Sequence, residues 1–195
     1  MNQIRNISKN IIFAMGLSIF IQLILGNYIV TGDSMNPTLE DNQRVFVNKF
    51  IYFNATSINN SANDIFNKIR LNPQKGDVVV FDPPFPYDTT GKEFVKRVIG
   101  VPGDIVENNN GSILVNGKPF GNKFGSTPGF SESGKILIPT NYYYVLGDNR
   151  KKSNDSRNFG LISRSSIKGR VWIIYWPFSN LKFFDYNLVA TLNKS

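Results

Sequence analysis

Residues 93–104 read Glu93-Phe94-Val95-Lys96-Arg97-Val98-Ile99-Gly100-Val101-Pro102-Gly103-Asp104. The run 94–101 is dominated by β-branched and aromatic residues and closes on Pro and Gly, which is the composition of a β-strand meeting a turn. It carries a lysine in its middle. Apolar neighbours on a strand penalise the charged form of Lys96, although the commoner fate of a strand lysine is to sit solvated at an edge. The same pattern recurs outward from this block at 44–50, 77–81, 113–115, 136–138, 142–146 and 170–175, so the chain beyond residue 31 is expected to be mostly β. Asn110-Gly111 and Asn116-Gly117 bracket Ile113-Leu114-Val115 and predict a hairpin, hence antiparallel pairing. Asp82-Pro83-Pro84-Phe85-Pro86 holds too many prolines for a paired strand and is expected as a loop or irregular edge.

Two segments break the strand pattern. Residues 57–72 are rich in Asn and Ser with weak helical spacing at Ile65, Phe66 and Ile69, and are expected as an inserted excursion; 121–134, rich in Gly and Ser, is expected as a flexible loop. The aromatic run Val171-Trp172-Ile173-Ile174-Tyr175-Trp176-Pro177-Phe178 reads either as a core strand or as an amphipathic rim at a bilayer interface, where Trp and Tyr are favoured.

The N-terminal part follows different rules. From Asn10 to Gly32 there is no charge, and Ile11 to Leu25 is apolar apart from Gly16, Ser18 and Gln22. About 20 such residues cross a bilayer as a helix. Arg5 and Lys9 precede the run and Asp33, Glu40 and Asp41 follow it, which orients the N-terminus to the cytoplasm and the remainder to the outer face of the cytoplasmic (inner) membrane. A cleaved signal peptide is the rival reading. The run is long for one, and no small-x-small site follows it. The expected organisation is a single-pass anchor at 1–30 and one extracytoplasmic β-domain at 31–195.

Composition narrows the chemistry. The chain of 195 residues contains no histidine and no cysteine and carries a formal charge of +8. Histidine- and cysteine-based nucleophile activation and His-ligated zinc are excluded, and disulfides with them; no metal and no cofactor are expected. The positive charge is spread along the chain without a helix-turn-helix or RNP-like motif, so nucleic acid is not an expected partner; a lipid bilayer is. A serine nucleophile in this chain can be activated only by a lysine amine or a carboxylate. Ser34, in Thr31-Gly32-Asp33-Ser34-Met35-Asn36-Pro37-Thr38-Leu39, is a candidate, although most serines in loops merely cap or are solvated. An unperturbed lysine titrates at about 10.4, and lowering that by two units costs about 2.7 kcal/mol, within reach of an apolar pocket.

The Ser34 block, Gly76-Asp77-Val78-Val79-Val80-Phe81, the Lys96 block and Gly147-Asp148-Asn149-Arg150-Lys151-Lys152-Ser153-Asn154-Asp155-Ser156-Arg157, in this order behind an anchor, closely resemble type I signal peptidases. These are serine-lysine endopeptidases that remove signal peptides from exported preproteins. The resemblance runs from the anchor to about Phe178. It implies a signal-peptidase-like β-domain with Ser34 as nucleophile and Lys96 as general base. It further implies that Ser153 orients the lysine, that Asp155 and Arg157 form a supporting ion pair, and that Asp148 pairs with Arg97. The Ser34 backbone N–H is the first oxyanion donor. Some members of the family supply a second donor from a serine two residues earlier, where this chain has Gly32, so that donor stays open and Gly32 equally reads as a turn residue. By the same resemblance Val30, Met35, Leu39, Phe94 and Val95 line shallow apolar pockets for small side chains at the first and third positions before the cut, with the substrate added as a strand. The competing readings are a specialised serine-lysine peptidase, such as a conjugal-transfer maturation enzyme or a self-cleaving regulator, and an anchored β-domain without catalysis.

Overall fold

The computed structural model of the chain describes residues 2–52, 72–87, 91–109, 112–120 and 134–184. The insertions expected at 57–72 and 121–134 lie outside these residues except for Asn72 and Gly134, and so does the Asn110-Gly111 turn.

Helix α1, Asn2–Ile24, contains the stretch Asn6–Ile24, whose mean hydropathy of 1.7 and length are enough to cross a membrane. At 1.5 Å per residue those 19 residues extend about 28 Å, close to the hydrocarbon thickness of a bilayer. Its apolar side chains, such as Phe13 and Leu23, are about 70% exposed, which suits lipid rather than water as their solvent. The helix ends earlier than the apolar run does. Leu25–Ile29 forms strand β1 and pairs antiparallel with β2, Arg44–Asn48, from Leu25↔Asn48 to Ile29↔Arg44. Gly26 and Asn27 are poor helix formers, and the ladder with β2 satisfies backbone groups that the helix would otherwise have used. Hydropathy alone could not separate the two elements, because β1 is as uncharged as the helical residues 10–24 before it.

The remaining strands are β3 (Val78–Phe81), β4 (Phe94–Gly100), β5 (Ile105–Asn109), β6 (Ser112–Val115), β7 (Lys118–Pro119), β8 (Lys135–Leu137), β9 (Tyr142–Leu146), β10 (Ile162–Ser163), β11 (Ile167–Trp176) and β12 (Lys182–Phe183). Among the described residues they form two antiparallel sheets. The larger runs β1-β2-β11-β3-β4-β9-β10, with β12 beside β11, and the smaller runs β7-β6-β5-β8. The mostly β expectation therefore holds, and seven of the strands overlap the segments read from the sequence. The others are short or, like β5 with its Glu107-Asn108-Asn109 half, too polar to stand out. In β11 Trp172 and Trp176 are over 40% exposed while Val171 and Ile174 are buried, so the aromatic run is a strand with an apolar inner face and an outward tryptophan face.

Among the described residues three core clusters lie against the larger sheet, one of them packing Ile99, Tyr144 and Leu146 onto the smaller sheet. Val30, Met35, Leu39, Val45 and Val47 pack with Val78, Val80, Val171 and Ile174 under the start of the domain, and Val79, Phe81 and Val98 pack with Tyr143 and Val145 on the other side of β3 and β4. β11 lies between β2 and β3 and can do so only because residue 169 is glycine. A Cβ there would sit 2.5 Å from the Asn48 carbonyl oxygen of β2. Gly169→Ala is accordingly expected to push β11 from β2 at a cost of about 1–3 kcal/mol. Thermal unfolding followed by circular dichroism checks this, and an unchanged Tm would refute the contact.

Candidate active site

Ser34 stands on a tight turn pinned from below. Met35 and Leu39, both fully buried, anchor it in the core, and the Met35 carbonyl accepts the Thr38 and Leu39 N–H groups at 2.8 and 3.0 Å. Ser34 itself stays half-buried at the surface. Asn149 N–H donates to the Ser34 carbonyl at 3.0 Å, tying the turn to the segment after β9.

Lys96 comes from β4 in register with Val79 of β3. β4 pairs with β9 only from Arg97 onward, so the second edge of Phe94, Val95 and Lys96 is open. The Lys96 Nζ lies 2.8 Å from Ser34 Oγ and donates to the Val95 carbonyl at 2.9 Å. Phe94, two residues away and on the same face of the strand, puts its ring centroid 5.3 Å from Nζ. The side chain is buried, and burial pulls the Lys96 pKa down to about 8 against the opposing pull of the Asp155 and Asp148 charges.

Those two carboxylates are each held by an arginine. Arg97 grips Asp148 with Nε at 2.8 Å and Nη2 at 2.6 Å, and also donates to the Gly76 carbonyl at 2.7 Å and to Thr38 Oγ1 at 3.2 Å. Arg157 grips Asp155 with Nε and Nη2, both at 2.8 Å. Asp155 Oδ2 further accepts the Gly147 N–H at 3.0 Å. Both pairs expected from the sequence are thus formed, and all four side chains are almost fully removed from solvent. A carboxylate in contact with Lys96 would keep the amine protonated; here the negative charge is spent on guanidinium groups instead.

Ser153 is close by, but it does not touch the lysine. Its Oγ is buried without a hydrogen-bond partner among the described residues, while the amine contacts Ser34 Oγ and the Val95 carbonyl. It packs against Gly147, where an added Cβ would collide with Ser153 and stand 2.5 Å from the Ser34 carbonyl oxygen. Arg150 Nε and Nη2 are buried without partners among the described residues in the same segment. No expectation attaches to Arg150 from the sequence, although it lies inside the block 147–157.

The amides near Ser34 divide sharply. The Ser34 N–H has no acceptor among the described residues. The Gly147 N–H is taken by Asp155, and the Gly32 N–H donates to Asp41 Oδ1 at 2.7 Å. Gly32 has φ +86°, a left-handed turn that glycine adopts without strain, so its turn role is realised and its amide is not free for an oxyanion.

A cleft of about 470 Å³ opens beside the Ser34–Lys96 pair. Val30, Phe94 and Val95 line it as expected. Met35 and Leu39 do not, because they are fully buried in the core beneath the turn. Tyr28, Ile29, Thr31, Glu93 and Asn154, none of which carried an expectation, line it as well. Its walls are the outer edge of β1 and the open edge of β4, two places where backbone groups have no neighbouring strand.

The family model described as signal peptidase, peptidase S26, matches residues 4–176. Signal peptidase IB of Staphylococcus aureus (strain MRSA252) is 36% identical over 206 aligned residues, covering 93% of this chain and 96% of its own length. Signal peptidase I of Leptolyngbya laminosa is 33% identical over 185, covering 93% and 82%. A solved signal peptidase I from Enterococcus faecalis V583 aligns at 28% identity over 51% of this chain and 96% of that one, with a TM-score of 0.41.

The buried Arg97–Asp148 pair yields a test. Asp148→Ala leaves a guanidinium in a dry site with no counter-charge, which is expected to cost about 3–5 kcal/mol. Chemical denaturation of the variant measures this, and a loss below about 1 kcal/mol would mean that the pair is in effect solvated.

Proposed function

The chain belongs to the signal peptidase family, peptidase S26, serine hydrolases that remove signal peptides, and from that premise we propose that Ser34 and Lys96 form its catalytic dyad on the outer face of a membrane that α1 spans. The observation that carries this reading is the 2.8 Å approach of a buried amine, with its pKa near 8, to the Ser34 hydroxyl in a chain without histidine or cysteine.

At pH 7 a pKa of about 8 leaves about one lysine in ten neutral, against fewer than one in a thousand at the ordinary value. The neutral amine accepts the Ser34 proton as Oγ attacks the carbonyl carbon of the residue before the cut. The unengaged Ser34 N–H faces no rival acceptor and receives the developing oxyanion. The Lys96 ammonium then protonates the leaving amine, the mature protein departs, and the acyl group remains on Oγ. Water attacks this ester as Lys96 takes its proton; the adduct then collapses, the C–Oγ bond breaks, the Lys96 ammonium returns the proton to Ser34 Oγ, and the signal-peptide carboxylate leaves. Once Oγ is acylated the amine loses a partner. The unsatisfied Ser153 hydroxyl, packed beside the Ser34 carbonyl, supports reading it as the group that then receives and orients Lys96.

The substrate lies extended between the free edges of β1 and β4, where main-chain pairing is available and Val30, Phe94 and Val95 offer apolar contact to small side chains before the cut. The charge asymmetry of Arg5 and Lys9 against Asp33, Glu40 and Asp41 supports an N-terminus in the cytoplasm. Division into an anchor and an outer peptidase domain is supported by the change from helix to strand at Leu25. Ile29 and Trp176 both register with Arg44, and with Phe178 they form an exposed apolar end of the sheet beside the cleft, suited to the bilayer interface. A signal peptide held in the same membrane reaches the cleft from there.

Detergent-solubilised full-length protein should cut a precursor carrying an Ala-x-Ala site, with the new N-terminus identified by sequencing. Ser34→Ala and Lys96→Ala should each abolish cleavage with the circular dichroism spectrum unchanged. Lys96→Arg should fail too, since a guanidinium stays protonated. Near-normal turnover by either alanine variant would overturn the dyad.

The pH profile tests the base separately. Because proton loss creates the base, activity should rise as pH passes through about 8 and level off above it. A limb that falls across pH 7 to 9 would exclude Lys96 as the base.

A further inference from the structure

The nucleophile turn hangs between two points in the core, Val30 and Met35, and the residues from Thr31 to Asp33 between them are exposed. Packing does not hold this stretch. A Cβ built on Gly32 would meet nothing within 4 Å. What restrains it is polar: the Asn36 N–H on the Asp33 carbonyl at 3.1 Å, Asn149 on the Ser34 carbonyl, an exposed ion pair between Lys152 and Asp33 at 3.1 Å, and one bond on the β2 side.

That bond continues a ladder. Beyond Ile29↔Arg44, the Val30 N–H donates to the Gln43 carbonyl at 2.8 Å and the Val30 carbonyl accepts from the Asn42 N–H at 2.9 Å. In an antiparallel ladder the backbone groups of successive residues point to opposite edges. Thr31, next along, therefore directs its N–H and C=O away from β2 and into the cleft it lines, and neither finds a partner among the described residues. Gly32 directs its N–H back toward β2, but β2 has ended: the chain turns at 40–42, with Asn42 at φ +63°. The acceptor is a side chain. Asp41 Oδ1 takes the Gly32 N–H at 2.7 Å, and its Oδ2 is steadied by Asn42 Nδ2 at 2.7 Å.

We propose that Asp41 is a positioning residue for the reaction: its carboxylate stands in for the missing strand, fixes the left-handed turn at Gly32, and so aims Ser34 at Lys96 while keeping the Thr31 edge open to substrate. This rests on Ser34 being the nucleophile. It also accounts for the absence of a free amide at Gly32, since the anion that holds the turn occupies it. The bond is exposed and the core lies elsewhere, so losing it releases the turn without unfolding the domain. A misplacement of the nucleophile by about 1 Å suffices to slow an enzyme by roughly 100-fold.

The test compares Asp41→Ala, Asp41→Asn and the unaltered full-length protein in detergent. Asp41→Ala should lower kcat by roughly 10- to 100-fold with KM within about threefold. Asp41→Asn, whose amide oxygen still accepts from Gly32, should recover most of the loss. Amide hydrogen exchange by mass spectrometry over the peptide containing Gly32 gives a reading that needs no activity: exchange should be faster in the alanine variant and near normal in the asparagine variant. Full activity of Asp41→Ala, an equal loss in both variants, or unchanged exchange in the alanine variant would each overturn the proposal. A protein that fails to cleave before any substitution would overturn the functional reading instead, and the exchange comparison would still decide the role of Asp41 in the turn.

Discussion

A lysine can serve as a base near neutral pH only if it is kept dry and if no carboxylate is left to claim its proton. This requirement organises the site. Lys96 is buried between the Val95 carbonyl, the Phe94 ring and Ser34 Oγ. Asp148 and Asp155, whose charges would keep it protonated, are each bound in two-point contact by Arg97 and Arg157. The balance falls on the side of burial, and the amine titrates near 8.

The two ion pairs serve more than electrostatics. Arg97 also reaches Gly76 and Thr38, which connects the loop before β3 and the nucleophile turn to the segment after β9. Asp155 receives the Gly147 amide, and Gly147 must lack a side chain for Ser153 and the Ser34 carbonyl to approach it. Charge compensation, turn placement and close backbone approach are thus one piece of construction. The interior beneath is aliphatic and tightly packed, while the edges that face the cleft, on β1 and at the start of β4, have no neighbouring strand among the described residues, and the Val95 carbonyl on the β4 edge is taken by Lys96 Nζ. The proposed reaction on an extended chain calls for both: a rigid floor to hold Ser34 beside Lys96 and open strand edges to hold the substrate.

Much of this was legible from residues 93–104 outward. β-branched runs punctuated by Pro, Gly and Asn predict strands wherever one face is well buried, and β3, β4, β9 and β11 appear within a few residues of their expected bounds. The strands that escaped notice are those whose order comes from their neighbours. β1 is uncharged like residues 10–24 of the helix before it and becomes a strand because β2 is there to pair with it; β10 and β12 are two residues long. In the site, the Arg97–Asp148 and Arg157–Asp155 pairs were expected from the blocks that contain them, and they form. Met35 and Leu39 went to the core instead of the cleft, because an apolar residue after a nucleophile can point either into a pocket or beneath it, and the turn geometry decides which.

The amino-acid sequence by itself determined the class of chemistry. Lack of histidine and cysteine leaves lysine or carboxylate as the partner of a serine, and charge and hydropathy patterning separate an apolar N-terminal helix from a β-domain. These are properties of composition and short-range order, which need no partner segment. The tertiary structure alone decided that Ser34 and Lys96, 62 residues apart, meet at 2.8 Å, that Ser153 stays without a partner, and that the Asp41 carboxylate closes a ladder where a strand has run out. Strand pairing is non-local, and the direction of each side chain and amide depends on which edge its neighbour occupies. That is settled only when the sheet closes around it.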